Sequence, residues 1–300
     1  MARFVRGPVT VEVPATSANL GPGFDCLGLA LDLHDTLTAE VVDAGLVLEV
    51  EGEGADSLPR DDSHLVVRAM RAGFETLGVS PPGLVLRAVN RIPQSRGLGS
   101  SSAAIVGGLA LARELVEGGS ATLEDATLLR LATRIEGHPD NVAPALLGGF
   151  VVSGHDGAET WGVPAPVAAG VSAVAFVPPG GVSTEVARGL LPAEVSHAVA
   201  AANSGRAALL VAALGGATGA LYQATEDFLH QEFRAAAMPE SLALVRSLRA
   251  EGLAAVVSGA GPTVLVLTVH DPSTVLPRCP AGWASYSLSI DRAGVRTVAS

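Results

Sequence analysis

Alternating apolar and polar positions in the first half of the chain predict strands, with amphipathic helices between them. Every second residue is apolar along Val9–Val13, and strand patterns follow at Asp35–Val42, Leu46–Glu51 and Leu84–Val89. Apolar residues spaced three and four positions apart instead predict a helix from Leu65 to Leu77, ending at a glycine. Two more helices are predicted over Ser100–Leu115 and Leu123–Ile135.

The second half mixes the same two kinds of element in a different order. Its predicted helices are Glu194–Ala213 and Glu240–Glu251, and its predicted strands are Val171–Val177, Ala254–Val257, Thr263–Val269 and Ser285–Ile290. Helices and strands of mixed order in two layers predict an α+β fold. A boundary near residue 155, within about ten residues, would divide the chain into an N-terminal nucleotide-binding domain, 1–155, and a C-terminal domain, 156–300.

One uncharged stretch, Ala207–Thr225, is long enough to raise the question of a membrane span. It contains Gly215 and Gly216 as well as polar residues, and no second such stretch follows it. We therefore predict a buried helix pair broken at the glycines, and no membrane.

The charge and the basic residues exclude several classes of function. The formal net charge is −11, which disfavours general nucleic-acid binding. All 19 basic residues are arginine, so mechanisms that need a lysine, such as Schiff-base chemistry or a Walker A loop, are excluded. Cys26 and Cys279 lie far apart without metal-ligand spacing, and the chain starts with a strand pattern where a signal peptide would lie, so a cytoplasmic location is expected.

A glycine- and serine-rich segment follows a predicted strand and opens a predicted helix. Its residues are Pro93, Gln94, Ser95, Arg96, Gly97, Leu98, Gly99, Ser100, Ser101, Ser102 and Ala103. Glycines allow close backbone approach to an anion, and the helix N-terminus supplies free N–H groups and the positive end of the dipole. The segment predicts a phosphate site, in which Arg96 could neutralise charge. An ordinary glycine turn with a serine cap is the alternative.

Two other glycine-rich segments follow apolar strands. Ser258–Thr263 could be a plain hairpin or a loop pressed against another loop or a ligand. Pro14–Asp25 is expected to leave the first strand as a long turn that carries Asn19 and Asp25. Spacing alone does not decide between a turn and a site.

Taken in their order along the chain, Pro14–Asp25, Pro93–Ala103 and Ser258–Thr263 resemble the three motifs of the GHMP kinase superfamily. The superfamily is named for galactokinase, homoserine kinase, mevalonate kinase and phosphomevalonate kinase. The residue sequence of the first motif, which has no lysine, resembles that of the homoserine-kinase branch. The resemblance covers residues 9–268. It implies a ribosomal protein S5 domain 2-like N-terminal domain and a ferredoxin-like C-terminal domain. It also implies ATP and Mg²⁺ as cofactors, L-homoserine as the small-molecule substrate, and a homodimer.

The resemblance also assigns residues. Ser101 and Glu136 would hold Mg²⁺, a hydroxyl and a carboxylate that suit this ion. Asp25, with Asn19 nearby, would take the substrate's ammonium group. The substrate-binding set is completed by Thr184, Arg188, Arg234, His138 and Asn141, and the catalytic set is Asn141, Arg188, His138 and Asp140.

Each assignment has an ordinary alternative. Glu136 could be a solvated carboxylate at a helix end, and either arginine could lie on the surface. His64 stands where the family usually has asparagine on the adenosine side, so nucleotide affinity or base preference could differ. The remaining histidines are expected at the surface, because they show no metal-ligand spacing.

Three functions remain open at this stage. The first is phosphorylation of homoserine, driven by positioning and charge without a general base, because an amide at Asn141 cannot accept a proton. The second is another kinase of the same superfamily with a different alcohol. The third is a nucleotide-binding protein without turnover.

Overall fold

The computed structural model describes residues 3–157 and 159–298. Its strands are β1 (Val9–Asn19), β2 (Gly23–Val42), β3 (Gly45–Gly52), β4 (Gly83–Asn90), β5 (Phe150–Asp156), β6 (Glu159–Ala165), β7 (Ser172–Val177), β8 (Ala254–Val257), β9 (Val264–Thr268), β10 (Ala284–Leu288) and β11 (Arg296–Val298). Its helices are α1 (Leu65–Thr76), α2 (Ser100–Glu114), α3 (Gly119–Thr122), α4 (Asp125–Glu136), α5 (Pro139–Leu147), α6 (Thr184–Gly189), α7 (His197–Leu214), α8 (Leu221–Ala224) and α9 (Pro239–Ala250). Short 3₁₀ turns lie at Thr218–Ala220, Glu232–Ala237, Pro272–Thr274 and Leu276–Arg278.

The strands form two sheets. The first has seven strands, in the order β11-β1-β2-β4-β3, with the β5–β6 hairpin joined to β2; the second has the order β10-β7-β9-β8. Only β3 and β4 pair in parallel among the strand pairs described. Helices α2 and α5 pack on β1 and β2, and α9 packs on β8 and β9. The α+β prediction is confirmed.

The buried core consists mainly of alanine, valine and leucine, as a chain with 4% aromatic residues requires. Its few large aromatic side chains with almost no exposure are Phe74, Phe150 and Phe176. Gly108 in α2 faces α1, where a β-carbon would lie 2.6 Å from the carbonyl oxygen of Val66. Small residues therefore let α1 and α2 approach closely.

The long turn predicted over Pro14–Asp25 is wrong. β1 continues to Asn19, and β2 starts at Gly23, so the turn itself spans only residues 20–22. The strand pattern was hidden because the end of β1 is buried along consecutive residues and does not alternate with polar positions. The turn places Asn19, Leu20 and Gly21 in the left-handed region, with φ of 68°, 51° and 89°.

The uncharged stretch breaks at its glycines as predicted, because α7 ends at Leu214 before Gly215. Its predicted burial is wrong for α7, in which only Asn203, Leu210, Ala213 and Leu214 are buried. Many of the other residues of α7 are partly or fully exposed alanines. The mean hydropathy of the helix is therefore high although most of its residues are not buried. By length and composition alone, α7 is the one helix of the described chain that could cross a membrane, and a soluble protein's helix passes the same test.

The sheets bear on the domain division. The β5–β6 hairpin extends the first sheet past residue 155 to Ala165, and the second sheet begins with β7 at Ser172. The short strand β11 then returns to pair with β1. The division at 155/156 stays a prediction, and the change of sheet lies between Ala165 and Ser172.

Candidate active site

The three glycine-rich segments meet in space. Ser258 donates its hydroxyl hydrogen bond to the Gly97 carbonyl at 2.6 Å and lies 2.8 Å from the Ser17 hydroxyl. The backbone N–H of Gly259 donates to the carbonyl of Ala18 at 3.0 Å. Ser258–Thr263 joins β8 to β9 as a hairpin and also presses against the phosphate-loop candidate, so both interpretations of that segment hold.

Gly97 is required at this junction. Its φ is +78°, and a β-carbon there would lie 2.3 Å from the Ser258 carbonyl oxygen. Any other residue would push the second sheet's hairpin away from the loop. The sequence predicted that this glycine lets the backbone approach an anion, whereas the group that it approaches in the structure is the backbone of Ser258.

A cavity of about 450 Å³ lies beside the junction. Within the predicted phosphate segment, residues 94–101 line it, whereas Pro93, Ser102 and Ala103 are buried outside this lining. Helix α2 begins at Ser100 after a left-handed Gly99, so its free N–H groups lie at the cavity wall. This arrangement can bind phosphate through backbone amides and the helix dipole.

Arg96 binds three backbone carbonyl groups of the protein. Its guanidinium donates to the carbonyls of Gln94 at 2.8 Å and Pro178 at 3.1 Å, and also to that of Pro179. Arg96 therefore ties the loop to the segment after β7. These carbonyls are neutral and Arg96 lines the cavity, so its neutralisation of phosphate charge stays a prediction.

Ser101 and Glu136 lie together at the start of α2 and the end of α4. The Ser101 hydroxyl donates to Glu136 Oε1 at 2.7 Å, and the Ser102 hydroxyl donates to the same atom at 2.9 Å. Ser101 and Glu136 both line the cavity, whereas Ser102 is buried. A hydroxyl and a carboxylate oxygen this close fit a hard divalent cation that keeps its other positions for phosphate and water.

Asp25 and Arg188, which also line the cavity, face each other. Arg188 donates from Nη1 and Nη2 to the two carboxylate oxygens of Asp25, at 2.9 and 2.6 Å. The Asn19 side chain accepts from the Asp25 backbone N–H at 3.0 Å and donates to the Gly259 carbonyl at 2.9 Å. Asn19 thus holds the left-handed Asp25 (φ 57°) in place. The Asp25 hydrogen bond is the main cause that raises the pKa of Arg188.

Arg234 is 1% exposed, which excludes the surface-arginine alternative for this residue. It lies over the Phe24 ring, 5.4 Å from the centroid, and lines the same cavity as Arg188. Burial is the first cause that lowers the pKa of Arg234, and the nearby charge of Arg188 is the second. Thr184, at the first position of α6, also lines the cavity.

His138, Asp140 and Asn141 surround the start of α5. His138 Nδ1 lies 2.6 Å from a carboxylate oxygen of the buried Asp140. Burial alone would lower the pKa of His138, but the hydrogen bond and charge of Asp140 raise it above its ordinary value. Asn141 Oδ1 accepts from the Thr16 hydroxyl at 2.8 Å, so its amide N–H groups remain available to the cavity it lines.

His64 directly precedes α1 and lines the cavity. It is 3% exposed, and neither ring nitrogen has a hydrogen-bond partner within residues 3–157 and 159–298. Burial, with a smaller effect from Arg60, lowers the pKa of His64, so its ring is neutral at pH 7. A buried polar ring without partners at a cavity wall is suited to contact a ligand.

Sequence reasoning missed three polar residues here. Thr16 lay inside the first motif, but only the fold shows that it orients Asn141. Asp35 lines the cavity, and its burial raises its pKa to about 6, although the N–H groups of Ile92 and Arg91 donate to it. His230 is fully buried, which corrects the expectation that the remaining histidines lie at the surface. His230 precedes Arg234 by four residues, and this spacing is the sequence feature that could have indicated a contact between the two side chains.

Two family models and many known proteins match this chain. The model of the GHMP kinases N terminal domain matches residues 64–149, and that of the GHMP kinases C terminal domain matches residues 198–276. A homoserine kinase of Streptomyces avermitilis is 53% identical over 292 residues, which cover 97% of this chain and 96% of the relative. That of Mycolicibacterium smegmatis is 49% identical, covering 97% and 95%.

Among solved structures, homoserine kinase from Cytophaga hutchinsonii aligns with a TM-score of 0.87 at 26% identity, covering 99% of each chain. The mevalonate kinase of L. major shares the fold, with a TM-score of 0.72 at 15% identity. The chain therefore belongs to the GHMP kinase family, and it is similar to that family's homoserine kinases over nearly its whole length.

Proposed function

We propose that this enzyme transfers the γ-phosphoryl group of ATP to the hydroxyl of L-homoserine, giving O-phospho-L-homoserine, a step toward threonine. The observation that carries the substrate assignment is the pairing of Asp25 with Arg188 beside the buried Arg234. A carboxylate and two guanidinium groups complement an acceptor that has one ammonium and one carboxylate. An uncharged alcohol would use neither charge of the Asp25–Arg188 pair, and a purely anionic alcohol that bound Arg188 would leave Asp25 without a partner of opposite charge.

The proposed orientation of ATP follows from the cavity. Its phosphates lie at the N-terminus of α2, along residues 94–101, and its base lies toward His64. Ser101 and Glu136 would hold Mg²⁺, which neutralises phosphate charge when bound. The acceptor lies between Asp25, Arg188, Arg234 and Thr184, with its hydroxyl toward Asn141.

In the transfer step, the acceptor oxygen forms a bond to the γ-phosphorus while the bond to the β,γ-bridging oxygen breaks and ADP leaves. Asp140 is engaged by His138, and Asn141 is an amide, so we assign no general base. The hydroxyl proton passes to an oxygen of the transferred phosphoryl group or to water. His138, Asn141 and Arg188 then act by alignment and charge, which phosphoryl transfer mainly requires.

The direct test is ADP release from ATP with homoserine, serine, threonine or mevalonate as acceptor. We expect ADP release with homoserine and little with the other three. Preference for mevalonate would support another alcohol, and ADP release that no acceptor stimulates would support a protein without this transfer. Either result would reject the proposed function.

The homodimer, the cytoplasmic location and the absence of nucleic-acid or membrane partners remain proposals. They rest on the family resemblance and on the acidic composition, with a formal net charge of −11. Light scattering behind a sizing column would give the oligomeric mass. A monomer at micromolar concentration would contradict the homodimer.

A further inference from the structure

The guanidinium of Arg234 is oriented by three contacts. Nε donates to the Ala187 carbonyl at 3.2 Å, and Nη1 donates to the Gly259 carbonyl at 3.3 Å. Nη1 also lies 3.1 Å from Nδ1 of His230. Nη2 has no hydrogen-bond acceptor among the residues that the structure describes, and Arg234 lines the cavity. The contacts at Nε and Nη1 therefore leave Nη2 as the nitrogen that is available to a ligand.

His230 can meet Arg234 in only one protonation state. Its Nε2 lies 2.7 Å from the carbonyl oxygen of Gly21, which can only accept, so Nε2 carries the proton. Nδ1 is then a lone-pair acceptor for Arg234 Nη1. The ring is fully buried, and burial is the main cause that lowers the pKa of His230, which agrees with a neutral imidazole.

The position of His230 is itself fixed. Asp227 accepts the backbone N–H of His230 at 3.1 Å and that of Gln231 at 2.7 Å. The imidazole lies against the Phe24 ring, with centroids 5.4 Å apart. Through Gly21 it also contacts the turn before β2, the strand that carries Asp25. One histidine therefore links the turn near the proposed ammonium site to the arginine of the proposed carboxylate site.

We propose that His230 is a positioning residue, which holds Arg234 so that the Nη2 edge of the guanidinium takes the carboxylate of the amino-acid acceptor. This inference rests on the proposed function. Without the Nδ1 acceptor, Nη1 loses a partner and the planar fork is free to turn away from the carboxylate. The loss would appear in acceptor binding, because His230 itself does not reach the reacting atoms through any contact seen here.

Three substitutions separate the two ring nitrogens. His230→Asn keeps an acceptor oxygen near Nδ1, His230→Gln keeps a donor near Nε2, and His230→Leu keeps neither. We expect His230→Leu and His230→Gln to raise KM for homoserine about tenfold or more, the size of one hydrogen bond to a charged group. His230→Asn should restore most of this, while KM for ATP changes less than about twofold in all three.

A second acceptor distinguishes positioning from general support of the fold. The compound 3-aminopropan-1-ol has the ammonium and the hydroxyl of homoserine but no carboxylate. If His230 acts through Arg234, the Gln variant should lose kcat/KM with homoserine and retain that of the wild-type protein with 3-aminopropan-1-ol. A proportional loss with both acceptors, or equal KM values for the Asn and Gln variants, would overturn the proposal.

The Asn and Gln variants each keep one hydrogen bond, so the test does not depend on folding of the Leu variant. Failure of the proposed function would look different. A wild-type protein that shows no preference for homoserine over 3-aminopropan-1-ol would reject the carboxylate site itself, and with it this inference. A clear preference together with equal Asn and Gln variants would reject the role of His230 alone.

Discussion

Arg188 and Asp25 form a bidentate ion pair, in which each terminal nitrogen of the guanidinium donates to one carboxylate oxygen. The two side chains are 37% and 36% exposed, so the pair stands at the edge of the cavity where an acceptor would enter. The proposed acceptor would separate the pair and present its ammonium to Asp25 and its carboxylate to Arg188. The same two residues neutralise each other when no acceptor is bound.

Substituting Arg188 should therefore affect acceptor binding more than stability. Arg188→Lys keeps a charge but loses the planar fork, and we expect KM for homoserine to rise about tenfold to a hundredfold. The free energy of unfolding should fall by no more than about 1 kcal/mol, because exposed ion pairs contribute little. Steady-state kinetics and urea unfolding measure the two quantities.

Arg278→Lys is the matched control, since Arg278 forms a similarly exposed ion pair with Glu251 outside the cavity. It should leave both KM values unchanged. An Arg188→Lys variant whose KM for ATP rises as much as its KM for homoserine would contradict the assignment of Arg188 to the acceptor.

Ser101 and Ser102 offer a matched pair for the proposed metal site. Both hydroxyls donate to Glu136 Oε1, but only Ser101 lines the cavity. Ser101→Ala should raise the Mg²⁺ concentration for half-maximal activity about tenfold or more, the cost expected for loss of a group that supports a metal. Ser102→Ala should change it much less, and identical Mg²⁺ titrations for the two variants would remove Ser101 from the proposed site.

His64 should contribute to binding of the nucleoside part of ATP. We expect His64→Ala to raise the Kd for ADP about threefold to tenfold, because one hydrogen bond to the base would be lost. Inorganic tripolyphosphate has no base, so its inhibition constant should not change. Calorimetry with ADP and inhibition kinetics give both numbers, with the exposed His155 replaced by Ala as the control. Equal weakening of ADP and tripolyphosphate would place His64 on the phosphate side.

Asp291 supplies a pH-dependent part of the stability. Burial alone would raise its pKa, but hydrogen bonds from His34, Gly294, Ala293 and Arg296 lower it to about 2. Because its pKa in the folded state is below the ordinary value of 3.8, the stabilisation is present above about pH 4 and is lost as the pH falls toward 2.

The lowered pKa of Asp291 corresponds to about 2 kcal/mol. Asp291→Asn should therefore lower the free energy of unfolding by about this amount at pH 7, and by clearly less at pH 3. Urea unfolding at the two pH values tests this, with the exposed Asp156→Asn as the control. A loss that is the same at both pH values would mean that Asp291 acts by shape and not by charge.

Several elements were predictable because their signal is local. Helices α1, α2 and α4 follow the apolar spacing to within a residue or two, and the phosphate loop could be located from its strand–loop–helix context. The long strands β1 and β2 were harder to predict, since their buried parts do not alternate with polar residues. The alanines of α7 led to the opposite error, because their apolar side chains predicted burial for a helix that is largely exposed. An alanine side chain is small enough to be exposed at little cost in free energy.

The sequence alone determined the kind of chemistry. Its glycines and serines at the start of a helix predict phosphate binding without a lysine, and its three ordered motifs resemble those of a kinase family. Only the tertiary structure decided which charged groups oppose each other, as with Asp25 and Arg188, which are 163 positions apart. It also showed that Arg96 binds the carbonyl of Pro178 and that the buried His230 contacts Arg234. The physical reason is that hydrogen bonds and ion pairs depend on ångström-scale geometry between distant segments, whereas periodicity records only which face of a segment is buried.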